Sequence, residues 1–242
     1  EAQKHVGDVY DFGWGVAKDD RLAFKYTKKA AQLGDAESQY NTGISYRDGL
    51  GCEQSYERAV EWFEKAARQG EAGAQYSLGN RYREGRGCEQ SYERASEWFE
   101  KAARQGHADA QGALGTAYGK GQGVPQSYER AVELYKQSAA QGEIEALLAL
   151  AQCHFFGRGV PQSYKEARRL LAQASAQGHA GATEKMTMVD DKIRTECPLL
   201  GKRVVITGTS RADLNGTVGV ATDFDHAKGR YVVAWGGKEG EK

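Results

Sequence analysis

Proline is scarce in this chain of 242 residues, with three in all, and there are four cysteines and two methionines. So few prolines exclude a collagen-like chain and a Pro-rich disordered linker. No apolar run approaches the roughly 18 residues that a membrane-spanning helix requires. Net charge is missing too. Thirty-three Lys and Arg balance thirty-three Asp and Glu, so no overall field draws the chain to nucleic acid or to an acidic membrane surface. The cysteines at 52, 88, 153 and 197 make neither a CxxC pair nor a Cys/His cluster at zinc spacing. Cys153 and His154 are neighbours, so on one helix they face different directions. No Ser/His/Asp or Cys/His arrangement stands out from the charged helix faces. The expectation is therefore no catalytic residue, no metal and no cofactor.

Glycine and tyrosine are in excess, at 31 and 13 residues. Their placement explains the excess. The stretch GCEQSYERAVEWFEKAARQG beginning at Gly51 returns almost unchanged at Gly87, 36 residues later. Gly43, Gly79 and Gly115 keep that period, with Ala151 in the same column. Tyr46, Tyr82 and Tyr118 keep it too, with His154 in theirs. A fixed period of this length is the signature of a stacked repeat, in which no unit can bury its apolar face alone.

Each unit reads as two short helices. Between residues 72 and 84 the positions Tyr76, Leu78 and Tyr82, with Ala74 and Gly79, follow helical spacing. Gly85 and Gly87 break that helix and suit a loop with positive φ. Ser91 stands where an N-cap belongs, and Glu93 puts negative charge in the first turn of the next helix. Gly79 and Ala95 are expected to let the two helices approach closely, and Tyr82, Trp98 and Phe99 to fill the wedge between hairpins. Trp62, Phe63, Trp98 and Phe99 are read as core, and His154 as a half-buried substitute for the column's tyrosine. His107 and His179 follow the unit-closing glycine and are placed in exposed turns.

The pattern Ala-x-Ala-Gln-x-x-Leu-Gly-x-x-Tyr-x-x-Gly-x-Gly, closing in Lys-Ala-Ala-x-Gln-Gly, resembles the Sel1-like repeat, a relative of the tetratricopeptide repeat. The resemblance runs from residue 1 to about 188. It implies a mostly α fold, a right-handed α-solenoid of 36-residue helix-turn-helix repeats whose first helices line a concave surface. It also implies an adaptor that assembles protein complexes rather than an enzyme. Some bacterial members staple each repeat with a cysteine pair at short spacing, and no such pairs occur here. Cys52 and Cys88, equivalent positions in successive repeats, would lie about 9–10 Å apart, beyond disulfide reach. Reduced thiols point to an intracellular, cytoplasmic setting, with a processed organellar form left open.

Residues 1–194 are assigned to the solenoid, with 180–194 as a capping helix whose outer face turns polar at Asp190, Asp191 and Lys192. The chain starts inside a first helix, which reads as a fragment or a processed product. Its exposed N-terminal face would be covered by further repeats or by self-association with a second copy. Residues 199–242 form a second, small antiparallel β module. Three strands are expected, at 203–207, 216–222 and 230–235, joined by turns at Asn215-Gly216 and Lys228-Gly229. These residues resemble the SH3-like barrels that include KOW-type modules, which bind RNA or protein. Seven Lys and Arg against five acids in this segment leave a net charge of +2, thin for tracking phosphates.

If the tetratricopeptide geometry holds, the groove is lined by the first-helix positions three before and one, four and five after the close-packing residue. These are Tyr40, Ile44 and Arg47 in the second repeat; Tyr76, Asn80 and Arg83 in the third; and Leu148, Gln152, Phe155 and Phe156 in the fifth. The fourth repeat leaves a glycine-floored gap at Gly112 and Gly119. The expected ligand is a peptide of a protein partner. Tyr40 and Tyr76 would stack on it, Arg47 and Arg83 would hold a carboxylate, and the paired phenylalanines would form an apolar anchor. The alternative is an RNA-associated protein whose β module touches nucleic acid.

Overall fold

The computed structural model describes residues 2–205, 217–226, 228–235 and 238–241. Among them run eleven helices and four strands. The first three repeats hold α1 (Ala2–Phe12) and α2 (Asp20–Gln32), α3 (Ala36–Asp48) and α4 (Tyr56–Arg68), and α5 (Ala72–Glu84) and α6 (Tyr92–Arg104). Then come α7 (Ala108–Lys120), α8 (Tyr128–Ala140), α9 (Ile144–Phe156), α10 (Tyr164–Ala176) and α11 (Ala180–Glu196). The architecture is a mostly α-helical solenoid of repeated helix-turn-helix units with a small C-terminal antiparallel sheet. By contact density the chain divides into two compact units, the first ending at Gln126 and the second starting at Ser127.

In the second and third repeats the helix ends are satisfied by the repeated residues. Ser55 and Ser91 accept hydrogen bonds from the backbone N–H groups of Arg58 and Arg94, both at 3.2 Å, as N-caps do. The first helices end on a left-handed glycine, at φ 73° for Gly49 and 67° for Gly85. The loop glutamine then turns back on that helix. Gln54 Nε2 donates to the Arg47 carbonyl at 2.6 Å and Gln90 Nε2 to the Arg83 carbonyl at 2.8 Å. Carbonyls that a helix C-terminus leaves unpaired are thus answered by a side chain of fixed position.

Within a hairpin the expected close approach is present. A Cβ added at Gly79 would lie 2.6 Å from a Phe99 ring carbon, and one at Gly43 would lie 2.6 Å from Phe63. Phe63 and Phe99 are fully buried. Trp62 is buried as well, but Trp98 is half-buried, with Lys101 Nζ 3.8 Å from its ring centroid. That ring is a surface side chain rather than part of the core, although Trp62 and Trp98 each carry a lysine ammonium over the ring.

Three devices join one repeat to the next in the first unit. Tyr46 accepts from Lys28 Nζ at 2.8 Å, and the Tyr82 hydroxyl donates to Glu64 Oε1 at 3.1 Å, each reaching back one hairpin. The second loop glycine rests on the start of the preceding second helix, since a Cβ at Gly87 would lie 2.3 Å from the Tyr56 backbone. A glutamine ladder is the third: Gln75 Nε2 donates to the Ala67 carbonyl at 3.1 Å, while Gln105 Nε2 donates to Gln75 Oε1 and to the Gly70 carbonyl, both at 2.9 Å.

In the second unit α11 covers α10. It buries Ala182 and Val189 and pairs Asp190 with Arg168 at 2.6 Å. The helix runs on to Glu196, two residues past the expected cap. The sheet has four strands, not three: β1 (Arg203–Val205), β2 (Val218–Asp225), β3 (Arg230–Trp235) and β4 (Lys238–Glu241), each antiparallel to the next. The fourth strand, Lys-Glu-Gly-Glu, carries no β-branched residue and has no apolar alternation to announce it. Ala221 of β2 and Val233 of β3 are buried in the sheet. The Lys228-Gly229 turn is present, with the Gly229 N–H on the Asp225 carbonyl at 2.8 Å. The expected Asn215-Gly216 turn and the ends of the first two expected strands, at 206–207 and 216, lie outside the described residues. The sheet meets the helices through His226, whose ring stands edge-on to Tyr164 of α10 at 4.6 Å. Tyr164 also donates to Glu196 and receives the Gln162 amide. Burial first, and Glu196 beside it, push that phenol far above its ordinary pKa.

Candidate functional site

The expected groove residues of the second unit come together. Leu148, Gln152, Phe155 and Phe156 on α9, with Leu171 of α10 and Met188 of α11, line a cleft of about 170 Å³. Its walls are almost wholly apolar apart from the Gln152 amide and Lys185. Helical geometry accounts for the phenylalanines. Successive residues lie about 100° apart on a helix, so two adjacent rings cannot both enter one core. Phe155 is half-buried against Tyr164, with ring centroids 5.2 Å apart. Phe156 is 56% exposed and stands edge-on to Phe155 at 4.9 Å. Leu148 forms the floor, and Gln152 is exposed at the rim.

In the first unit the groove columns carry different chemistry. Tyr40 is half-buried, 5.9 Å from the Phe63 ring, and its phenol lies against Gly73 of the next repeat. Tyr76 repeats that packing on Phe99 at 5.9 Å and also stacks on His107 at 5.1 Å. Much of each ring is thus engaged in holding repeats together. Arg47 is held by its own neighbour: Nε and Nη2 donate to the two Asp48 oxygens at 2.8 and 2.7 Å. That bidentate pair holds the Asp48 carboxyl below its ordinary range, so a peptide carboxylate at Arg47 has to displace Asp48. Arg83 is less occupied, 3.6 Å from Glu84 and 5.7 Å from the Phe99 ring centroid. Asn80 is half-buried, and its Oδ1 is buried without a hydrogen-bond partner. Ile44 contributes to a broader depression of about 330 Å³, shared with Asp8, Asp11 and Phe12 of α1 and with Asp20 and Glu37. Lys4 meets Glu37, and Lys18 lies 3.5 Å from Asp20, so its carboxylates are partly answered.

His107 is misplaced by the sequence reading. It is half-buried rather than exposed, and its Nδ1 accepts from the Ala110 N–H at 3.4 Å as the N-cap of α7. The signal was there: Asp35 and Glu71 occupy the same column, and each accepts a first-turn N–H of its helix. His154 is half-buried as expected, with Nδ1 unpartnered, and burial lowers its pKa. All four cysteines are free thiols, and burial pushes each of them up, so none is poised as a nucleophile. Among the described residues no three of His, Cys, Asp and Glu gather to hold a metal ion. No helix there is long and apolar enough to cross a membrane.

Stacked helical hairpins closed by glycine loops, with open depressions on the first-helix side, define a helical-repeat protein of the solenoid class. The Sel1 repeat model matches residues 1–35, 36–71, 72–107, 108–143 and 144–179, and the chain belongs to the Sel1 repeat family. Among solved structures it is similar to a protective antigen of uropathogenic Escherichia coli strains that displays an SLR fold. Identity there is 34% and the TM-score 0.74, over 80% of this chain and 42% of that one. A Sel1 repeat protein from Oxalobacter formigenes is similar at 34% identity and a TM-score of 0.73, over 80% of this chain and 76% of that one. This chain thus spans less than half the length of the E. coli antigen. No curated protein matches it significantly.

Proposed function

We propose that this protein is a non-enzymatic adaptor that holds a peptide segment of a protein partner against the first helices of its repeats, residues 2–194. The observation that carries this reading is the apolar cleft lined by Leu148, Gln152, Phe155 and Phe156. An open cleft walled by exposed aromatic and thioether side chains is what a binding anchor requires. Phe156 and Met188 are 56% and 60% exposed at its mouth, a cost that a purely structural helix face has no reason to carry. Residues 199–242 we take as an SH3-like module in protein contact. The sheet's Lys228 is paired with Asp225 at 3.2 Å, which leaves still less positive charge for an RNA backbone. The free thiols suit a reducing, intracellular setting.

A peptide array probed with the wild-type chain and with Phe156→Asp and Met188→Asp tests the reading. Both changes fall on exposed side chains, so thermal melts should stay near wild type while array binding is lost. Binding that survives both substitutions removes the cleft from the function. Arg47→Ala combined with Arg83→Ala tests the first unit: unchanged binding there removes the carboxylate role of those arginines.

A further inference from the structure

We infer that the cleft between α9, α10 and α11 receives one bulky apolar side chain from a partner segment whose flanking residues are acidic. The inference rests on the adaptor reading and specifies the partner's chemistry.

Size fixes the anchor. At about 170 Å³ the cleft is close to an engineered apolar cavity of roughly 150 Å³ that holds one benzene molecule. One aromatic or large aliphatic side chain fills it, and a whole helix face does not. Met188, unbranched and exposed at the edge, can adjust to the shape that enters.

Charge fixes the flanks. Lys185 lines the cleft, half-buried, and Arg158 lies over the Phe156 ring, 5.0 Å from its centroid, with the Tyr128 ring centroid 5.5 Å away. Among the described residues neither makes an ion pair. Four nearby cations on α10 and α11 do: Arg168 with Asp190 at 2.6 Å, Arg169 with Glu166 at 2.8 Å, Lys192 with Glu196 at 2.8 Å and Arg194 with Asp191 at 3.2 Å. Lys165 on α10 is unpaired as well among the described residues, but Lys185 and Arg158 are the two that stand against side chains of the apolar opening. Each cation sits against low-dielectric wall, where an incoming carboxylate is less screened than in open water. Gln152, exposed where it lines the cleft, can pair with the backbone of an extended segment without regard to its sequence. An apolar anchor between acidic neighbours answers all three features, whereas a basic segment would add charge to a rim already positive.

The test uses the full chain and fluorescein-labelled 12-residue peptides with a central Phe flanked by Glu, by Ser or by Lys, titrated by fluorescence anisotropy. Glu flanks should bind about tenfold tighter than Lys flanks, the order of two partly screened ion pairs, and the gap should narrow at high salt. Lys185→Glu with Arg158→Glu should reverse the order, and Lys185→Gln, which keeps a polar stem, should shrink it. Thermal melts of the variants establish that they fold. Equal affinity for all three peptides, or an order that charge reversal leaves intact, overturns the acidic-flank inference and leaves the adaptor reading standing. Failure of every peptide to bind overturns both.

Discussion

Gly79→Ala should destabilise the chain, although alanine is the better helix former. The gain is about 1 kcal/mol, the usual difference between glycine and alanine inside a helix. Against it stands the space. The new methyl would lie 2.6 and 2.7 Å from two Phe99 ring carbons and 3.2 Å from the Ala95 carbonyl oxygen. Phe99 is 1% exposed and has nowhere to retreat. Overpacking a filled core costs about 1–3 kcal/mol, and contacts this short belong in the upper half of that range. The net expectation is a loss of about 1–2 kcal/mol, read as a fall in urea midpoint at constant slope. The fifth repeat suggests the compensating change. There the column holds Ala151, and the position equivalent to Phe99 is Leu171. Phe99→Leu alone should cost less than the roughly 3–5 kcal/mol of a full truncation to alanine. Combined with Gly79→Ala it should restore most of the stability, giving a favourable coupling in the double-mutant cycle. Trp62 and Trp98, on the helices before and after α5, report local unfolding by fluorescence. A neutral or stabilising Gly79→Ala, or strictly additive effects, would refute the reasoning.

The loop glycines predict a contrast. Gly106→Ala, at φ 84° with nothing within 4 Å, should cost only the left-handed strain of about 1–2 kcal/mol. Gly87→Ala, at φ 79° and 2.3 Å from the Tyr56 backbone, should cost clearly more in the same urea assay, because the preceding repeat has to move. Gln75→Ala removes the partner of the Ala67 carbonyl and of the Gln105 amide, and should lower stability by about 1–2 kcal/mol as a buried acceptor is left unpaired. His154 predicts a pH effect. Its folded pKa lies below the ordinary 6.5 because burial disfavours the charged ring. Above that pH both states are neutral and nothing is lost. As pH falls below it the unfolded chain takes up a proton that the folded chain refuses, so stability declines until the folded value is passed. His154→Phe should remove that part of the decline in urea midpoints between pH 7.5 and 5.5; parallel profiles would show that the imidazole contributes nothing.

The repeats were legible because the chain aligns with itself. Five copies of a 36-residue template separate the columns that packing constrains from those it does not, and the caps and loop glycines follow from backbone requirements at single positions. What depends on the next repeat was less legible. Trp62 and Trp98 occupy one column of near-identical helices, yet the second is half-buried. His107 was misread for a different reason: the column asks for an N-cap acceptor, and imidazole supplies one less familiar than the carboxylates of Asp35 and Glu71. The fourth strand escaped notice because backbone pairing with β3, not its side chains, makes it a strand. For the candidate site, the expected positions on α9 line one cleft. The partners from α10 and α11, Leu171, Lys185 and Met188, were not expected, since a groove column names one wall of a cleft and not the wall that faces it.

The same division explains why recognition can vary along a single template. Gly79 against Phe99, Gly87 against the Tyr56 backbone and Gln105 against Gln75 fix how hairpins meet. The groove columns are left free of that duty and diverge within one chain: Lys4, Asp8, Asp11 and Phe12 in the first repeat, Leu148, Gln152, Phe155 and Phe156 in the fifth. The groove tyrosine column, Tyr40 and Tyr76, does share the packing and keeps its residue from the second repeat to the third, as the Arg47 and Arg83 column also does. Where Gly112 ends that run, the constraint and the ring disappear together. On the adaptor reading proposed above, specificity on such a scaffold is therefore set by groove residues that stacking leaves unused, and the apolar cleft of α9 to α11 is the first place to look for it.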